Sequence, residues 1–295
     1  MKGIILAGGS GSRLYPMTSA INKHLLPIYD KPMIYFPLCT LMLAEIREIL
    51  IISTPEDIQN FQALLGNGER FGLDLTYAVQ PSPDGLAQAF IIGRDFIGSD
   101  DVAMILGDNI FVGLGMKDCL QKAKDNVKKG KATIFGYKVD DPIRFGVIEF
   151  DNNGKVISIE EKPKNPKSNF AAAGLYFYDN RVVDFATRVK PSWRNELEIT
   201  DVNNYYLKEH DLEAIQLDTE VFNWMDAGTP DAMIEAACCI QKMEKKQGVG
   251  VGYPEEIALD NGWIDRQGLE EILRKNANSD YGRYISGIIG NVSMK

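Results

Sequence analysis

Along the first third of the chain, short continuous apolar runs alternate with stretches whose apolar positions recur every three or four residues. The runs Gly3–Ala7, Glu48–Ser53, Leu75–Val79 and Val102–Leu106 predict strands, and the segments Pro32–Ile46, Glu56–Gly66 and Leu86–Ile97 between them predict helices. That alternation builds an α/β fold with a largely parallel sheet covered on both faces. Pro32 and Pro37 predict an irregular start to the first helix. Beyond residue 130 the pattern changes to closely spaced strands, at 131–139, 146–150, 155–162 and 173–179, with Asn152-Asn153-Gly154 as a hairpin turn. The sheet is therefore expected to become mixed. A helix within 197–210 and strands at Leu212–Leu217 and Val221–Met225 complete a core of residues 1–228. From 229 to 295 the chain reads as a helical extension, interrupted at Gly248–Gly252.

A chain of 295 residues can bury a large core. Its formal charge of -9 argues against bulk binding to nucleic acid, which requires a basic surface. Any phosphate ligand must be held by a few placed cations and backbone amides. Cys39, Cys119, Cys238 and Cys239 show no CxxC spacing, so a reduced protein without structural zinc is expected. The apolar run Ile4–Ala7 is too short for a signal peptide, and no stretch approaches membrane-spanning length. A cytoplasmic protein with no membrane partner is the expectation.

The first strand runs into a glycine-rich turn, GIILAGGSGSRLYP from Gly3 to Pro16, which would leave amides free at a strand's carboxyl end. A dinucleotide fingerprint counted from Gly9 and Gly11 requires a third glycine where Leu14 stands, and the next strand ends in IIST rather than in an acid. A P-loop counted from Gly8 or Gly9 meets Arg13 or Leu14 where its second glycine should be. What remains is a loop followed by Arg13 and, ten residues later, Lys23, an arrangement suited to a triphosphate.

This stretch, with QPSPDGLAQAF (80–90), LGDN (106–109), FGVIEF (145–150), EEKPKNPKSN (160–169), GLYFYD (174–179), ELEITDVN (196–203) and WMDAGT (224–229), resembles the successive motifs of the sugar-1-phosphate nucleotidyltransferases, in their longer bacterial form. The resemblance covers nearly the whole chain. It implies a Rossmann-like nucleotidyltransferase fold, with a nucleotide-binding half at about 1–130, a sugar-binding half at about 131–228, and a C-terminal region for oligomerisation. The implied reaction joins dTTP and glucose 1-phosphate to give dTDP-glucose and pyrophosphate, for dTDP-L-rhamnose or a related deoxysugar. The nucleophile is an anionic phosphate oxygen, so no general base is required; the work is positioning and charge stabilisation.

Residue by residue, the resemblance implies that Gly8, Gly9, Gly11, Ser12, Arg13 and Lys23 hold the nucleotide phosphates and that Gln80 and Gly85 meet the base. It further implies that Asp108 and Asp226 bind Mg2+, and that Gly146, Glu161, Lys162, Ala172 and Tyr176 take the sugar phosphate. Arg13 and Lys162 are the implied catalytic cations. A primary amide such as that of Gln80 serves thymine and uracil equally, so it cannot read the methyl group. Glu198 and Thr200 suit either a helix cap or an approach to the sugar phosphate. His24, Ala172, Ala173 and Ala227 depart from the family's commonest residues. Ala172 and Ala173 are expected to strip polar groups from the sugar wall. Longer members are homotetramers, dimers of dimers, with a second nucleotide site at a subunit interface, and MIEAACCI (233–240) offers either an interface or a core-facing surface.

Overall fold

The computed structural model describes residues 1–292 except Ser10 and Val249. Ser10 of the glycine loop, Val249 of the expected break and residues 293–295 of the expected helical extension thus lie outside the described residues. In chain order the elements begin with β1 (Lys2–Ala7), the short strands β2 (Pro27–Ile28) and β3 (Lys31–Pro32), α1 (Tyr35–Leu43), β4 (Glu48–Ser53), α2 (Ile58–Leu65) and β5 (Asp74–Val79). Then come α3 (Gln88–Ile92), α4 (Arg94–Ile97), β6 (Val102–Leu106), β7 (Asn109–Gly113), α5 (Met116–Val127), β8 (Ala132–Lys138), β9 (Gly146–Phe150), β10 (Val156–Glu161) and β11 (Phe170–Tyr178). The chain continues through α6 (Arg181–Arg188), α7 (Ile199–Lys208), β12 (Leu212–Leu217), β13 (Phe222–Asp226), α8 (Pro230–Gln247), α9 (Pro254–Asp260), α10 (Arg266–Asn276) and α11 (Asp280–Val292).

Among the described residues, nine strands form one sheet. β1 is apolar and buried on both faces because it lies between β4 and β6, parallel to each, and β5 extends the parallel set. β11 runs antiparallel to β6, β8 and β9, and β9 and β10 form the expected hairpin, so the second half is mixed. Strand alternation divides β11 between two cores: Ala171, Ala173, Leu175 and Phe177 enter one, Tyr176 and Tyr178 the other.

Several expectations require correction. The first helix begins at Tyr35 rather than Pro32, because Lys31–Pro32 pairs with Pro27–Ile28 in a small hairpin; Pro37 falls in the first helical turn, where its missing N–H costs no bond. The segment 86–97 is broken at Gly93 into α3 and α4. The final strand is Phe222–Asp226, one residue later than expected, which places Asp226 in the ladder itself.

Candidate active site

The parallel strands all end at one edge, where the chain ends are laced together. Ser53 Oγ donates to the Ala7 carbonyl at 2.9 Å, the Gln80 amide to Ser53 O at 2.8 Å, and the Gly107 amide to Leu6 O at 2.9 Å. This edge is the place an open α/β sheet offers a ligand. A cleft of about 220 Å³ opens there, lined among others by Gly8, Gly9, Lys23, Gln80, Gly85 and Asp108. Gly8 must lack a side chain, since a Cβ would collide with Gln80 Oε1, and Gly9 and Gly11 adopt φ of 90° and 58°. Ser12 and Arg13 follow in a 3₁₀ turn.

The Gln80 amide is aimed from behind: its Nε2 donates to Gln88 Oε1 at 2.7 Å, and Gln88 donates in turn to Asp84 at 2.9 Å. That leaves the Gln80 carbonyl oxygen directed over the glycine loop. Gly85, at φ 111°, lies against the Leu197 backbone. Leu197 N donates to Asp84 O at 2.6 Å and Ala87 N to Leu197 O at 3.0 Å, so the segment before α7 is stitched to the loop that carries Gly85.

Asp108 and Asp226 meet through the two-stranded pairing of β7 with β13, which sets Asp226 opposite Asn109. The Ala227 amide donates to the Asp108 carbonyl at 3.0 Å. Asn109 joins the pieces, donating from Nδ2 to Asp108 and accepting at Oδ1 from Trp224 Nε1 (2.6 Å) and Gly174 N (3.0 Å). Burial opposes ionisation of Asp108, but the Lys23 ammonium bonded to it overrides this and holds the carboxyl well below its usual range. Burial and the neighbouring Asp108 charge push Asp226 the other way, upward. An ionised Asp108 beside an Asp226 whose ionisation it disfavours, with Lys23 as the only ammonium bonded to Asp108 among the described residues, fits a divalent cation that would relieve the repulsion. Arg13 and Asp226 flank bare Gly228, where a Cβ would lie 2.6 Å from Arg13 Nη2 and 3.0 Å from Asp226 Oδ1.

His24 adjoins this cluster in the wall of the cleft. It is buried, and its Nδ1 donates to Asn22 Oδ1 at 2.7 Å. Burial, then the Lys23 charge, lower its pKa from 6.5 to about 3. Below pH 6.5 the unfolded chain takes up a proton at His24 that the folded chain refuses down to about pH 3, so this residue makes stability fall as pH falls through that window. Between pH 7 and pH 5, wild type is expected to lose about 2 kcal/mol more unfolding free energy than His24→Gln. Urea titrations of both at the two pH values check this; equal losses would contradict it.

In the second half, Gly146, Glu161, Ala172 and Thr200 converge: a Cβ on Gly146 would sit 3.1 Å from Thr200 Oγ1, 3.4 Å from Glu161 Oε2 and 3.7 Å from Ala172 Cβ. Thr200 donates to Glu161 at 2.5 Å, and burial raises the Glu161 pKa. Tyr176 is buried in the core on this same face of β11, and the Glu161 charge is near enough to add to the upward push of burial on its phenol. Glu198 caps nothing with its side chain; it accepts from Ser192 Oγ at 2.7 Å and pairs with Arg194 at 2.7 Å. Lys162 follows β10 in a left-handed conformation, φ 42°, with its ammonium 4.0 Å from Glu161. A non-glycine residue there carries strain of about 1–3 kcal/mol, which the hydrogen bond from its amide to Phe145 O (3.0 Å) helps to hold. Ala173, expected on the sugar wall beside Ala172, instead faces the opposite core, because successive strand residues point to opposite sides.

Two cations escape a motif-based reading. Arg194 bonds to Glu198, Glu196 (3.0 Å) and Glu161 (3.5 Å), all within the second half. Its signal was present in RNELE, where an arginine precedes two closely spaced acids. Arg144 lines a cavity of about 190 Å³ that also includes Asp226, Phe145 and Trp224.

Comparison with known proteins fits this geometry. The nucleotidyl transferase family profile matches residues 2–243. A glucose-1-phosphate thymidylyltransferase of Neisseria meningitidis is 53% identical over 285 residues, covering 97% of this chain and 98% of the relative. One of Mycobacterium tuberculosis is 50% identical at the same coverage. Among solved structures, UDP-glucose pyrophosphorylase complexed with UDP-glucose superposes with a TM-score of 0.70 at 25% identity, over 82% of this chain and 98% of the other. With the glycine loop, the paired aspartates and these relatives in agreement, the chain belongs to the nucleotidyl transferase family, in its glucose-1-phosphate thymidylyltransferase branch.

Proposed function

We propose that the protein transfers a thymidylyl group from dTTP to α-D-glucose 1-phosphate. The observation that carries this reading is the convergence of Arg13, Lys23, Asp108 and Asp226 at the carboxyl edge of the sheet, next to a glycine loop and a fixed amide, in a chain 53% identical to a glucose-1-phosphate thymidylyltransferase. A sugar phosphate oxygen forms the new bond to the α-phosphorus while the bond to the bridging oxygen breaks, and pyrophosphate leaves with that electron pair. Magnesium bound by Asp108 and Asp226 would neutralise phosphate charge. Arg13 and Lys23 bind the triphosphate, and the Gly8, Gly9, Gly11 and Ser12 backbone supplies donors. Gln80 and Gly85 orient the base. Glu161 accepts from vicinal sugar hydroxyls, with Gly146, Ala172 and Tyr176 shaping the wall, and Lys162 brings the sugar phosphate up to the α-phosphate. Arg194 fixes Glu161.

No helix among the described residues is long and apolar enough to cross a membrane. We place residues 1–228 in catalysis and 229–295 in assembly. Helix α8 turns Ala236 and Ile240 to the core and leaves Ile234 and Cys238 exposed beside a groove of about 440 Å³, which favours association into a tetramer. The test is to isolate the species by size with light scattering and measure its pyrophosphate release with Mg2+ across dTTP, UTP and a set of sugar 1-phosphates. A tetramer most active with dTTP and glucose 1-phosphate is expected; another preferred pair would reassign the substrates, and a monomer would remove the assembly.

A further inference from the structure

Among the described residues, the most deeply buried lysine or arginine lies outside the site described above. Lys31, 1% exposed, places its ammonium 2.6 Å from Asp30 Oδ1, 3.0 Å from Glu244 Oε1 and 3.8 Å from the centre of the Tyr253 ring. Burying a lysine is costly, and such a cluster commonly contributes no more stability than apolar residues of the same volume. Its distinctive consequence is to hold one geometry.

That geometry leads to the phosphate-binding groups by two routes. Lys31 sits on β3, paired with Ile28 on β2, and the base of this hairpin is closed by bonds from Met33 N to Leu26 O (2.9 Å) and from Ile34 N to His24 O (2.8 Å). Lys23, bonded to Asp108, is at that base. On the other side, Glu244 stands near the end of α8, whose first residues follow Asp226 by way of the Thr229 cap, with the Ala232 amide donating to Thr229 Oγ1 at 3.3 Å. Asp108, Lys23, the hairpin, Lys31, Glu244, α8 and Asp226 thus form a closed ring of contacts and rigid elements. The segment after α8 clasps this ring: Val251 N donates to Glu244 Oε1 at 3.2 Å, and Tyr253 Oη to Asp30 Oδ2 at 3.1 Å. Tyr253 stacks on Tyr284 of α11 with ring centres 4.1 Å apart.

The geometry points to Lys31 as a positioning residue: gripped by Glu244 and Tyr253, it sets where the hairpin presents Lys23 to Asp108, and so makes the nucleotide and metal geometry depend on the C-terminal helices. This rests on the reading that Lys23, Asp108 and Asp226 hold the triphosphate and its metal. Glu161, Lys162 and Arg194, on the sugar side, stand outside the ring.

The test uses full-length Lys31→Met and Glu244→Gln, with kcat, both KM values, half-saturating Mg2+ and melting temperature measured for each. Lys31→Met is expected to raise the KM for dTTP and half-saturating Mg2+ about tenfold and to leave the KM for glucose 1-phosphate within about twofold. In a Lys23→Ala background it should add less than about twofold, because its effect passes through Lys23. A merely structural role would lower melting temperature and kcat with both KM values unchanged. That result, an equal rise in both KM values, or effects of Lys31→Met and Lys23→Ala that multiply would each overturn the proposal. Should Lys31→Met not fold, Glu244→Gln, which removes the charge that holds Lys31 while keeping the side chain's shape, decides by the same criteria: a selective rise in the KM for dTTP supports the proposal, and unchanged or equally raised KM values overturn it. Full turnover by Asp226→Asn would instead defeat the reading of the site, a separate result.

Discussion

Asp226→Asn is expected to lower kcat by about 10²–10³-fold while leaving the protein folded and at least as thermostable as wild type. The two effects have one cause. The Asp226 carboxyl is buried beside the Asp108 carboxylate, which pushes its pKa upward, so the charged form is disfavoured in the free protein. Asparagine keeps the shape and removes the repulsion. It also removes the anionic ligand that the metal and phosphates require. Steady-state pyrophosphate release and a thermal melt together check this: full turnover would contradict the assignment of Asp226, and a lower melting temperature would contradict the account of its charge.

Lys162→Ala is expected to cut kcat by about 10²-fold or more and to raise the KM for glucose 1-phosphate, with dTTP affinity unchanged. The left-handed backbone at Lys162, φ 42°, turns the chain at the end of β10 and leaves the ammonium near Glu161 without a close ion pair, at 4.0 Å. A cation so loosely paired, in the sugar half, suits an incoming phosphate. Lys162→Arg should not restore the rate, because a broad, planar guanidinium on a three-carbon stem cannot place its charge at the point a compact ammonium on four carbons reaches. Titrating dTTP binding separately from turnover distinguishes this outcome from general damage; weaker dTTP binding would move Lys162 to the nucleotide half.

Local pattern carried much of this molecule. The short apolar run of β1, ended by glycines, marks a strand buried on both sides, and the alternation of VISIEE makes a half-buried one. Some elements were legible and passed over: Met116, Leu120, Ala123 and Val127 of α5 are spaced as one helical face, and all are buried. Strand β7 was harder to find, since it begins three residues after β6 ends and only a partner strand distinguishes the two. The motifs named the chemical groups, and the structure gathers most of them into two clusters at one edge. Ala173 and His24 show where motif reading stops, the first turned to the other face of its strand and the second a buried, neutral imidazole in the wall of the cleft.

What the sequence determined by itself was whatever depends on neighbours along the chain: the strand and helix periods, the left-handed positions open to glycine, and the supply of phosphate-seeking cations and strand-ending acids. Only the tertiary structure decided the meetings between distant segments. Asp226 reaches Asp108 because β13 pairs with β7, Arg194 reaches Glu161 because α7 and β10 pack together, and Lys31 reaches Glu244 because α8 folds back over the hairpin. Each is a contact between charged groups far apart in sequence, and its energy depends on burial and a few ångströms of separation. No local pattern encodes those quantities.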